Sequence, residues 1–367
     1  MTAYERANIH RLAAYVPGEQ PRRGGFIKLN TNENPYPPAP AVLRAIRQVS
    51  ADLLRRYPPP DADAFRAAAA RAHRISPDQI IATNGGDELL RLVVTVFCPP
   101  ASQRRRRPIP GLAVAEPSYS LYPVLAAIQE TPILRIPLRN DWSLPQDFAD
   151  QALAAGCRLA MIVNPHAPSG HVEPLAALRR LARRLKQGGC VLLIDEAYVN
   201  FADTDALPLV RSGSGLDNVL ILRTLSKGYS LAGLRFGYGL GHPDLITALN
   251  KAKDSYPTDI LAQTAATAAL QARPAAATTW RRVRAERTRL LRQLTARGFT
   301  VPPSGSNFIL AQPPQTGPSA SDIYKSLKQH NIFVRYFDQD RLRDKLRITI
   351  GTPAQNRRLL NELDRLL

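Results

Sequence analysis

The sequence predicts an α/β protein in which a large domain holds a mostly parallel central sheet flanked by helices, and a smaller α+β domain follows it. Two observations support this prediction. Short apolar runs typical of buried strands alternate with amphipathic runs typical of helices through most of the chain. An Ala-rich helical segment near Ile260 then opens the last part of the sequence. We therefore expect an N-terminal arm over residues 1–35, rich in Pro, Gly and Asn, a large domain over 36–255, and a small domain over 256–367 that includes part of the arm.

Three apolar runs in the large domain have the continuous hydrophobic character of parallel strands: 159–163, 190–194 and 218–222. A polar residue follows each run, namely Asn164, Asp195 and Lys227. These residues are 31 and 32 positions apart, enough for one crossover connection between neighbouring strands. Ligands of open α/β sheets bind beyond the carboxyl ends of the strands. We therefore expect the three side chains to meet at one edge of the sheet.

Lys227 stands among small and apolar neighbours in the segment 223–235. Poor hydration disfavours the ammonium form, so the amine becomes available as a nucleophile. Ser226 offers a hydroxyl and Arg235 a guanidinium fork, and together they can hold a phosphate. A reactive amine beside a phosphate clamp predicts a Schiff base between Lys227 and pyridoxal 5′-phosphate. The alternative is a surface Ser-Lys pair, the usual environment of a lone lysine.

Asp195, Tyr198 and Asn164 supply the groups that such a cofactor needs around its ring. A carboxylate opposite the pyridine nitrogen keeps that nitrogen protonated, and the protonated ring is the better electron sink. Tyr198 and the Asn164 amide can each donate a hydrogen bond to the phenolic oxygen of the ring. The alternative for Asp195 alone is a helix N-cap, which is common where a strand turns into a helix.

Two further segments complete the predicted cofactor site. Gly86 and Asp87 lie where an apolar strand runs into an apolar helix, and the N–H groups of such a turn attract phosphate. Tyr119 can stack on the pyridine ring. Taken alone, Gly and Asp are also ordinary helix-start residues, and Tyr119 equally suits a tyrosine packed in a turn.

Several ordered motifs resemble those of the fold-type-I aminotransferases that use pyridoxal 5′-phosphate, and within them the histidinol-phosphate aminotransferase subfamily. The motifs lie at 14–20, 28–35, 56–58, 116–122, 195–198, 223–235, 307–309, 334–337 and 346–351. Together they extend over nearly the whole chain. The resemblance implies a ping-pong exchange of an amino group between L-histidinol phosphate and 2-oxoglutarate, the keto acid of glutamate. It also implies that Lys227 acts as general base and acid.

The resemblance implies roles for residues away from the strand ends as well. Tyr57 matches a tyrosine that reaches the phosphate of the neighbouring subunit, which would make the active unit a homodimer. Arg347 matches the arginine that grips the α-carboxylate of the substrate, and Arg335 matches a position near the far end of the substrate. The other positions expected in the substrate region are Tyr15, Asn32 and Tyr256.

Two departures from the family pattern bear on the site. The family usually has Asn-Pro-Asn-Asn-Pro-Thr-Gly where this chain has His166 and Ala167, so we expect different hydrogen bonds within this loop. The subfamily tends to carry Asp-Ser-Tyr-Asn where this chain has Pro257, which removes a backbone N–H. An aromatic aminotransferase and a threonine-phosphate decarboxylase therefore stay open as alternatives on the same fold. The residues that would decide are Tyr15, Tyr256 and Arg335.

The net charge of +19 makes a basic nucleic-acid-binding protein the non-enzymatic alternative. Most of the arginines are spread along amphipathic helices, as on solvated faces, and the dense run 104–107 lies between prolines in an expected surface loop. No recognised nucleic-acid motif accompanies them, so we expect no nucleic-acid partner. The positive field would attract a phosphorylated substrate.

The composition predicts a cytoplasmic protein without a membrane partner. No run approaches the ~20 apolar residues that span a bilayer, and the N-terminus lacks the apolar core of a signal peptide. The three cysteines, Cys98, Cys157 and Cys190, have no metal-ligand spacing. We therefore expect no metal site, and a sparse, odd number of cysteines fits a reducing compartment.

Overall fold

The computed structural model describes residues 4–13, 18–21, 24–101 and 111–367. The strands described form a seven-stranded, a three-stranded and a two-stranded sheet. In chain order they are β1 Ile27–Lys28, β2 Ile80–Thr83, β3 Leu112–Glu116, β4 Ile133–Pro137, β5 Leu159–Val163, β6 Val191–Asp195, β7 Val219–Thr224, β8 Gly237–Gly241, β9 Phe308–Ala311, β10 Ile332–Phe333, β11 Arg335–Tyr336 and β12 Leu346–Thr349.

Helices connect most of these strands. In the described ranges they are α1 Ala7–His10, α2 Pro40–Arg47, α3 Ala51–Leu54, α4 Asp63–His73, α5 Gly85–Phe97, α6 Leu121–Ile128, α7 Phe148–Ala154, α8 Leu175–Gln187, α9 Pro243–Asn250, α10 Ile260–Gln271, α11 Arg273–Thr295, α12 Ala320–Gln329 and α13 Pro353–Leu366. Four short 3₁₀ turns accompany them, at Pro77–Gln79, Val199–Phe201, Leu207–Leu209 and Ala232–Leu234.

The seven-stranded sheet has the order β2-β8-β7-β6-β5-β3-β4, and only β8 runs antiparallel to its neighbours. The prediction of a mostly parallel central sheet is confirmed. Strand β5 has the predicted bounds, whereas β6 and β7 begin and end slightly later than predicted. Because the parallel strands point the same way, the segments that follow β2, β3, β5, β6 and β7 emerge at one edge of the sheet.

Both faces of this sheet are buried, which explains why its strands are apolar throughout. In β5, Ala160 and Ile162 belong to one hydrophobic core, and Leu159 and Met161 belong to a second core on the opposite face. Successive side chains of a strand point to opposite faces, so a strand between two layers of helices needs apolar residues at every position. The sheet is therefore a rigid support for whatever its carboxyl edge carries.

The last part of the chain forms the three-stranded sheet of order β11-β12-β9, against which α11 and α12 pack. The N-terminal arm joins this part, because β1 pairs in parallel with β10 and the Thr349 N–H donates to the Leu29 carbonyl at 2.9 Å. The arm thus connects the C-terminal sheet to the edge of the large sheet. The domain boundaries at residues 35 and 255 stay a prediction.

Two further features concern the described residues as a whole. No helix in the ranges that the structure describes is long and apolar enough to cross a bilayer. The same ranges contain no group of three or more His, Cys, Asp or Glu side chains that could hold a metal ion. Cys98, Cys157 and Cys190 are buried free thiols in the two cores.

Candidate active site

A cavity of about 560 Å³ lies at the carboxyl edge of the large sheet, between that edge, the N-terminal arm and the small sheet. Its lining includes most of the residues that the sequence predicted. They are Asn32, Gly86, Asp87, Tyr119, Asp195, Tyr198, Ser226, Lys227, Arg235, Arg335 and Arg347. The cavity therefore gathers side chains from segments that are far apart in sequence.

The Lys227 amine lies in this cavity three residues after β7 and donates to the Thr31 carbonyl at 2.9 Å. Loss of hydration lowers the pKa of Lys227 to about 8, and the positive charges of Arg347 and Arg235 act in the same direction. A large fraction of the amine is therefore neutral near pH 8. A neutral amine is the form that attacks a carbonyl carbon.

Asp195 ends β6 and is 5% exposed. Burial raises the pKa of its carboxyl to about 6, against the opposing effect of two donors, the Ala197 N–H at 3.0 Å and the Tyr122 hydroxyl at 2.9 Å. Tyr122 is fully buried, and burial together with Asp195 raises the pKa of this phenol well above its usual range. Tyr122 therefore stays a neutral donor and holds the carboxylate in place.

Tyr198 follows β6 and its hydroxyl accepts a hydrogen bond from the Asn32 amide nitrogen at 3.0 Å. Its ring packs edge-on against Phe308, with 5.0 Å between centroids. Asn32 was predicted to contact substrate. Its amide has two protein partners, Tyr198 and Thr349, and the residue lines the cavity, so its contact with substrate stays a prediction.

The predicted phosphate clamp assembles around the start of α5. Arg235 donates to the Asp87 carboxylate at 3.1 Å, and the Tyr119 hydroxyl donates to the other oxygen of the same carboxylate at 3.3 Å. Gly85 has φ of +74°, a left-handed conformation that favours glycine, and a Cβ there would lie 2.7 Å from the Arg235 guanidinium. The Ser226 hydroxyl lies 3.0 Å from the Thr224 hydroxyl. Arg235 thus lies beside the Asp87 carboxylate at the N-terminus of α5, where N–H groups favour an anion, and Ser226 lines the same cavity.

Asn164 directly follows β5, and its backbone N–H donates to the Asp195 carbonyl at 2.8 Å. The Asn164 side-chain oxygen accepts from the Glu173 N–H at 2.8 Å, so the amide NH₂ is the group that remains to serve a ligand. Asn164 is 3% exposed and is not part of the cavity lining. Its predicted contact with the cofactor stays a prediction.

His166 explains how the unusual loop after Asn164 keeps its shape. The imidazole Nε2 lies 2.9 Å from the Pro117 carbonyl and Nδ1 lies 2.7 Å from the Ser169 hydroxyl. A carbonyl only accepts, so Nε2 carries the hydrogen and Nδ1 accepts from Ser169. Burial lowers the pKa of His166 to about 4, which keeps the ring neutral. The ring therefore joins this loop to the segment that leads into Tyr119.

Arg335 and Arg347 are direct cross-strand partners in the antiparallel pair β11–β12. Such partners lie side by side on one face of a sheet. The two guanidinium groups stack on the ring of Phe337, at 5.0 and 5.4 Å from its centroid, and Arg347 also donates to the Asn30 carbonyl at 2.8 Å. Two adjacent positive charges repel each other, so this wall of the cavity favours a ligand with anionic groups.

Tyr57 and Tyr256 lie outside the cavity lining. Their rings stack on each other with 4.5 Å between centroids, and their exposed fractions are 81% and 47%. The predicted contact of Tyr256 with substrate stays a prediction. Tyr15 and the arginine run 104–107 lie outside the described residues.

A buried ion pair connects the ends of strands β6 and β7. Arg223, at the end of β7, donates to the Glu196 carboxylate at 2.9 and 2.7 Å, and to Asp205 at 3.1 Å. Glu196 directly follows Asp195, and Arg223 lies in β7, the strand that leads to Lys227. The ion pair therefore connects the end of β6 to β7. Removing one partner of such a pair leaves a buried charge alone and is strongly destabilising.

Sequence reasoning missed three contributors to the site: Tyr122, Thr31 and Phe337. Tyr122 and Phe337 stand inside motifs that the sequence analysis recognised, but nothing local indicates that Tyr122 contacts a carboxylate 73 positions away or that Phe337 lies beneath two arginines. Thr31 contributes only its backbone carbonyl, which no side-chain pattern can reveal.

Comparison with known proteins agrees with this geometry. The family described as aminotransferase class I and II matches residues 25–363. Histidinol-phosphate aminotransferase 1 of Nostoc sp. is 45% identical over 100% of this chain and 99% of its own length, and the protein of that name from Trichormus variabilis is 43% identical over 100% of both. The crystal structure of histidinol-phosphate aminotransferase from Sinorhizobium meliloti in complex with pyridoxal-5′-phosphate superimposes with a TM-score of 0.89, at 26% identity, over 100% of this chain and 98% of that chain.

A mostly parallel sheet whose carboxyl edge presents a lysine and a buried aspartate to one cavity is the architecture of a fold-type-I aminotransferase. Both the family match and the full-length relatives support the same assignment. The chain belongs to the class I and II aminotransferases, and within them to the histidinol-phosphate aminotransferase family.

Proposed function

We propose that this enzyme uses pyridoxal 5′-phosphate to exchange an amino group between L-histidinol phosphate and 2-oxoglutarate. The observation that carries the proposal is the shared cavity. It presents the Lys227 amine, the Asp195 carboxylate and the Arg335–Arg347 pair to one ligand. The substrates follow from the relatives, which are named histidinol-phosphate aminotransferases over the full length of this chain.

The residues at the cavity fit this cofactor. A phosphate suits the Arg235 guanidinium, the Ser226 hydroxyl and the N–H groups at the start of α5, which include Gly86 and Asp87. The Asp195 carboxylate suits a protonated pyridine nitrogen. The proposed ring contacts are Tyr119 and Tyr198, which line the cavity, and Asn164, which directly follows β5. When bound, the cofactor supplies an aldehyde for the amino group and a protonated ring that draws electrons from the α-carbon.

Lys227 moves the proton in this proposal. Its pKa of about 8 leaves much of the amine neutral, so Nζ can take the proton from the carbon that bears the amino group and return it on the other side of the reacting nitrogen. The Thr31 carbonyl holds Nζ in position by accepting its hydrogen bond. Asp195 stays ionised above its pKa of about 6 and so stabilises the positive charge opposite it.

The arginine pair explains how one cavity accepts two unlike substrates. Glutamate carries two carboxylates, whereas histidinol phosphate carries a phosphate and an imidazole but no α-carboxylate. A guanidinium fork can bind either a carboxylate or a phosphate through two parallel hydrogen bonds. We propose that Arg347 binds the α-carboxylate of glutamate and that Arg335 binds near the far end of either substrate, with Tyr15 contributing from the arm.

We also propose that the active unit is a homodimer in the cytoplasm. Exposed large hydrophobic residues lie on α2, α3 and α10, on the segment just after α3 and on the segment just before α10: Leu43, Leu53, Leu54, Tyr57, Tyr256 and Leu261. Helices α2 and α10 pack together, so these residues come from adjacent elements, and a partner that covers them would remove apolar surface from water. Tyr57 would then reach the phosphate in the partner subunit. Three buried free thiols fit a reducing compartment.

The test is a set of single half-reactions. Protein loaded with pyridoxal 5′-phosphate is mixed separately with L-histidinol phosphate, L-glutamate and L-phenylalanine, and the visible absorbance of the cofactor is followed. We expect histidinol phosphate and glutamate to convert the cofactor to its amino form. Conversion by phenylalanine with histidinol phosphate inert would contradict the proposal and favour an aromatic aminotransferase. The matched control is Lys227→Ala, which we expect to lose turnover by about 10³-fold or more.

A further inference from the structure

We propose that Asn32 is a positioning residue that sets the direction and donor strength of the Tyr198 hydroxyl toward the cofactor. The inference rests on the proposed function, because it concerns the hydrogen bond that Tyr198 would give to the phenolic oxygen of pyridoxal phosphate. It changes the role of Asn32 from a substrate contact to a residue that acts through Tyr198.

Three groups form a hydrogen-bond chain with a defined direction. The backbone N–H of Asn32 donates to the Thr349 hydroxyl oxygen at 3.0 Å, and the Thr349 hydroxyl donates back to the Asn32 side-chain oxygen at 3.0 Å. The amide NH₂ of Asn32 then faces Tyr198 and donates to its hydroxyl oxygen at 3.0 Å. Thr349 therefore orients the Asn32 amide. The amide in turn donates to the oxygen of the Tyr198 hydroxyl, so the hydroxyl is the acceptor in this contact.

The backbone conformation and contacts of Asn32 fix the position of this amide. Asn32 is 1% exposed and has φ of 58°, a left-handed conformation that asparagine tolerates better than most residues. Its carbonyl accepts from the Asn307 amide at 2.8 Å, and Asn307 is fully buried. Thr349 pairs with Phe308 in the small sheet, so the chain reaches from that sheet across the arm to the large sheet. A substrate contact requires none of these constraints.

The direction of the chain has a chemical consequence. A hydroxyl whose oxygen accepts a hydrogen bond becomes the stronger donor through its own hydrogen. Donation from Tyr198 to a negatively charged ring oxygen stabilises the more negative form of the bound cofactor. The pH midpoint of the cofactor absorbance should therefore be lower with the Asn32 amide than without it. In the part of the chain that the structure describes, the other charged or titratable groups that act around this point are Glu33, Lys227, Asp195, Tyr119, Tyr122, Arg347, Arg235 and Asp87.

Two substitutions at position 32 keep the backbone conformation accessible and remove the amide donor. Asn32→Gly removes the donor, and glycine adopts positive φ without strain. Asn32→Asp replaces the donor by a carboxylate, which accepts from Tyr198 and so turns its hydrogen away. A second pair of substitutions changes Thr349, whose hydroxyl orients the Asn32 amide. Thr349→Val removes this hydroxyl and keeps a side chain of similar size, and Thr349→Ser keeps a hydroxyl at this position.

The experiment is an absorbance titration with pH of each variant loaded with pyridoxal phosphate, without substrate. We expect Asn32→Gly and Thr349→Val to raise the midpoint by about 0.5–1 pH unit, as the loss of one hydrogen bond implies. Asn32→Asp should raise it at least as far, and Thr349→Ser should return it to the wild-type value. In a Tyr198→Phe background, Asn32→Gly should add no further shift.

The outcomes separate this inference from the function on which it rests. An unchanged midpoint in Asn32→Gly and Thr349→Val, with a normal titration of the wild type, would overturn the inference and leave the proposed function standing. The inference would also be overturned, and the proposed function would also stand, if Asn32→Gly raised the absorbance midpoint of the Tyr198→Phe protein by as much as it raises that of the wild type. A wild-type protein that develops no visible cofactor absorbance would overturn the proposed function and the inference together.

Discussion

The amine of Lys227 and the backbone carbonyl of Thr31 are joined by a hydrogen bond of 2.9 Å that spans 196 positions of sequence. The carbonyl accepts from the amine in either protonation state and so positions Nζ. Loss of hydration and the neighbouring charges of Arg347 and Arg235 lower the pKa of Lys227 to about 8. The arm therefore positions the amine, and the cavity sets its basicity.

This pKa predicts how the apoprotein captures its cofactor. Only the neutral amine attacks the aldehyde, and its fraction is about 1% at pH 6 and about half at pH 8. We expect the rate of capture, followed by stopped-flow absorbance, to rise steeply from pH 6 and to level off above about pH 8.5. Arg347→Gln removes a positive neighbour, raises the pKa of Lys227 and should move the profile to higher pH. A profile that is flat between pH 6 and 9 would contradict the assigned basicity of the lysine.

His166 predicts a specific sensitivity to acid. Its folded-state pKa of about 4 lies below the ordinary value of 6.5, so the unfolded chain binds the proton more readily between these values. The stability that this histidine contributes is complete above pH 6.5 and is lost as the pH falls toward 4. We expect the free energy of unfolding to fall by about 2–3 kcal/mol more between pH 7 and 4.5 in the wild type than in His166→Asn.

Urea denaturation at the two pH values measures this difference. Other buried groups such as Asp195 titrate in both proteins, so their contributions cancel in the comparison. Equal pH dependence in the two proteins would show that His166 is protonated as readily in the fold as in water. The loop hydrogen bonds to Pro117 and Ser169 would then not hold the neutral ring as described.

The arginine pair predicts a split between substrates. Arg347→Gln should weaken binding of glutamate by about 2–5 kcal/mol, because a buried carboxylate loses its charged partner, and should affect histidinol phosphate less, since that substrate has no α-carboxylate. Arg335→Gln should weaken both. Substrate titrations of the half-reactions measure these effects, with the exposed Arg343→Gln as the matched control. Equal losses for both substrates in Arg347→Gln would refute the assigned division of roles.

The proposed homodimer predicts that two inactive variants rescue each other. If Tyr57 acts in the partner's site, a mixed dimer of Tyr57→Ala and Lys227→Ala contains one site with both residues intact. Random reassortment makes half of the dimers mixed, so activity should recover to about a quarter of the wild-type value. A mixture of Asp195→Asn and Lys227→Ala is the control, because both residues belong to one chain's site. Absence of rescue in the first mixture would place Tyr57 outside the partner's site.

Local sequence patterns were sufficient to predict the strands of the site and the residues at their carboxyl ends. The apolar run 159–163 predicted β5 residue for residue, and Asp195 and Lys227 were placed at the carboxyl ends of neighbouring strands, which pair as β6 and β7. These predictions succeed because a strand buried on both faces leaves a continuous apolar signal, and because parallel strands bring their carboxyl ends to one edge. Element bounds moved by one or two residues where the polar residue itself belongs to the strand, as Asp195 does.

The sequence by itself determined the class of fold and predicted that Lys227 and Asp195 follow neighbouring strands, because each prediction depends on residues close together in the chain. Only the tertiary structure decided which groups tune them. Tyr122 meets Asp195 across 73 positions, Asn32 meets Tyr198 across 166, and the register of β11 on β12 sets Arg335 beside Arg347. Such contacts depend on strand register and on how the arm crosses the sheet edge, and these are set by the packing of the whole chain rather than by any local run of residues.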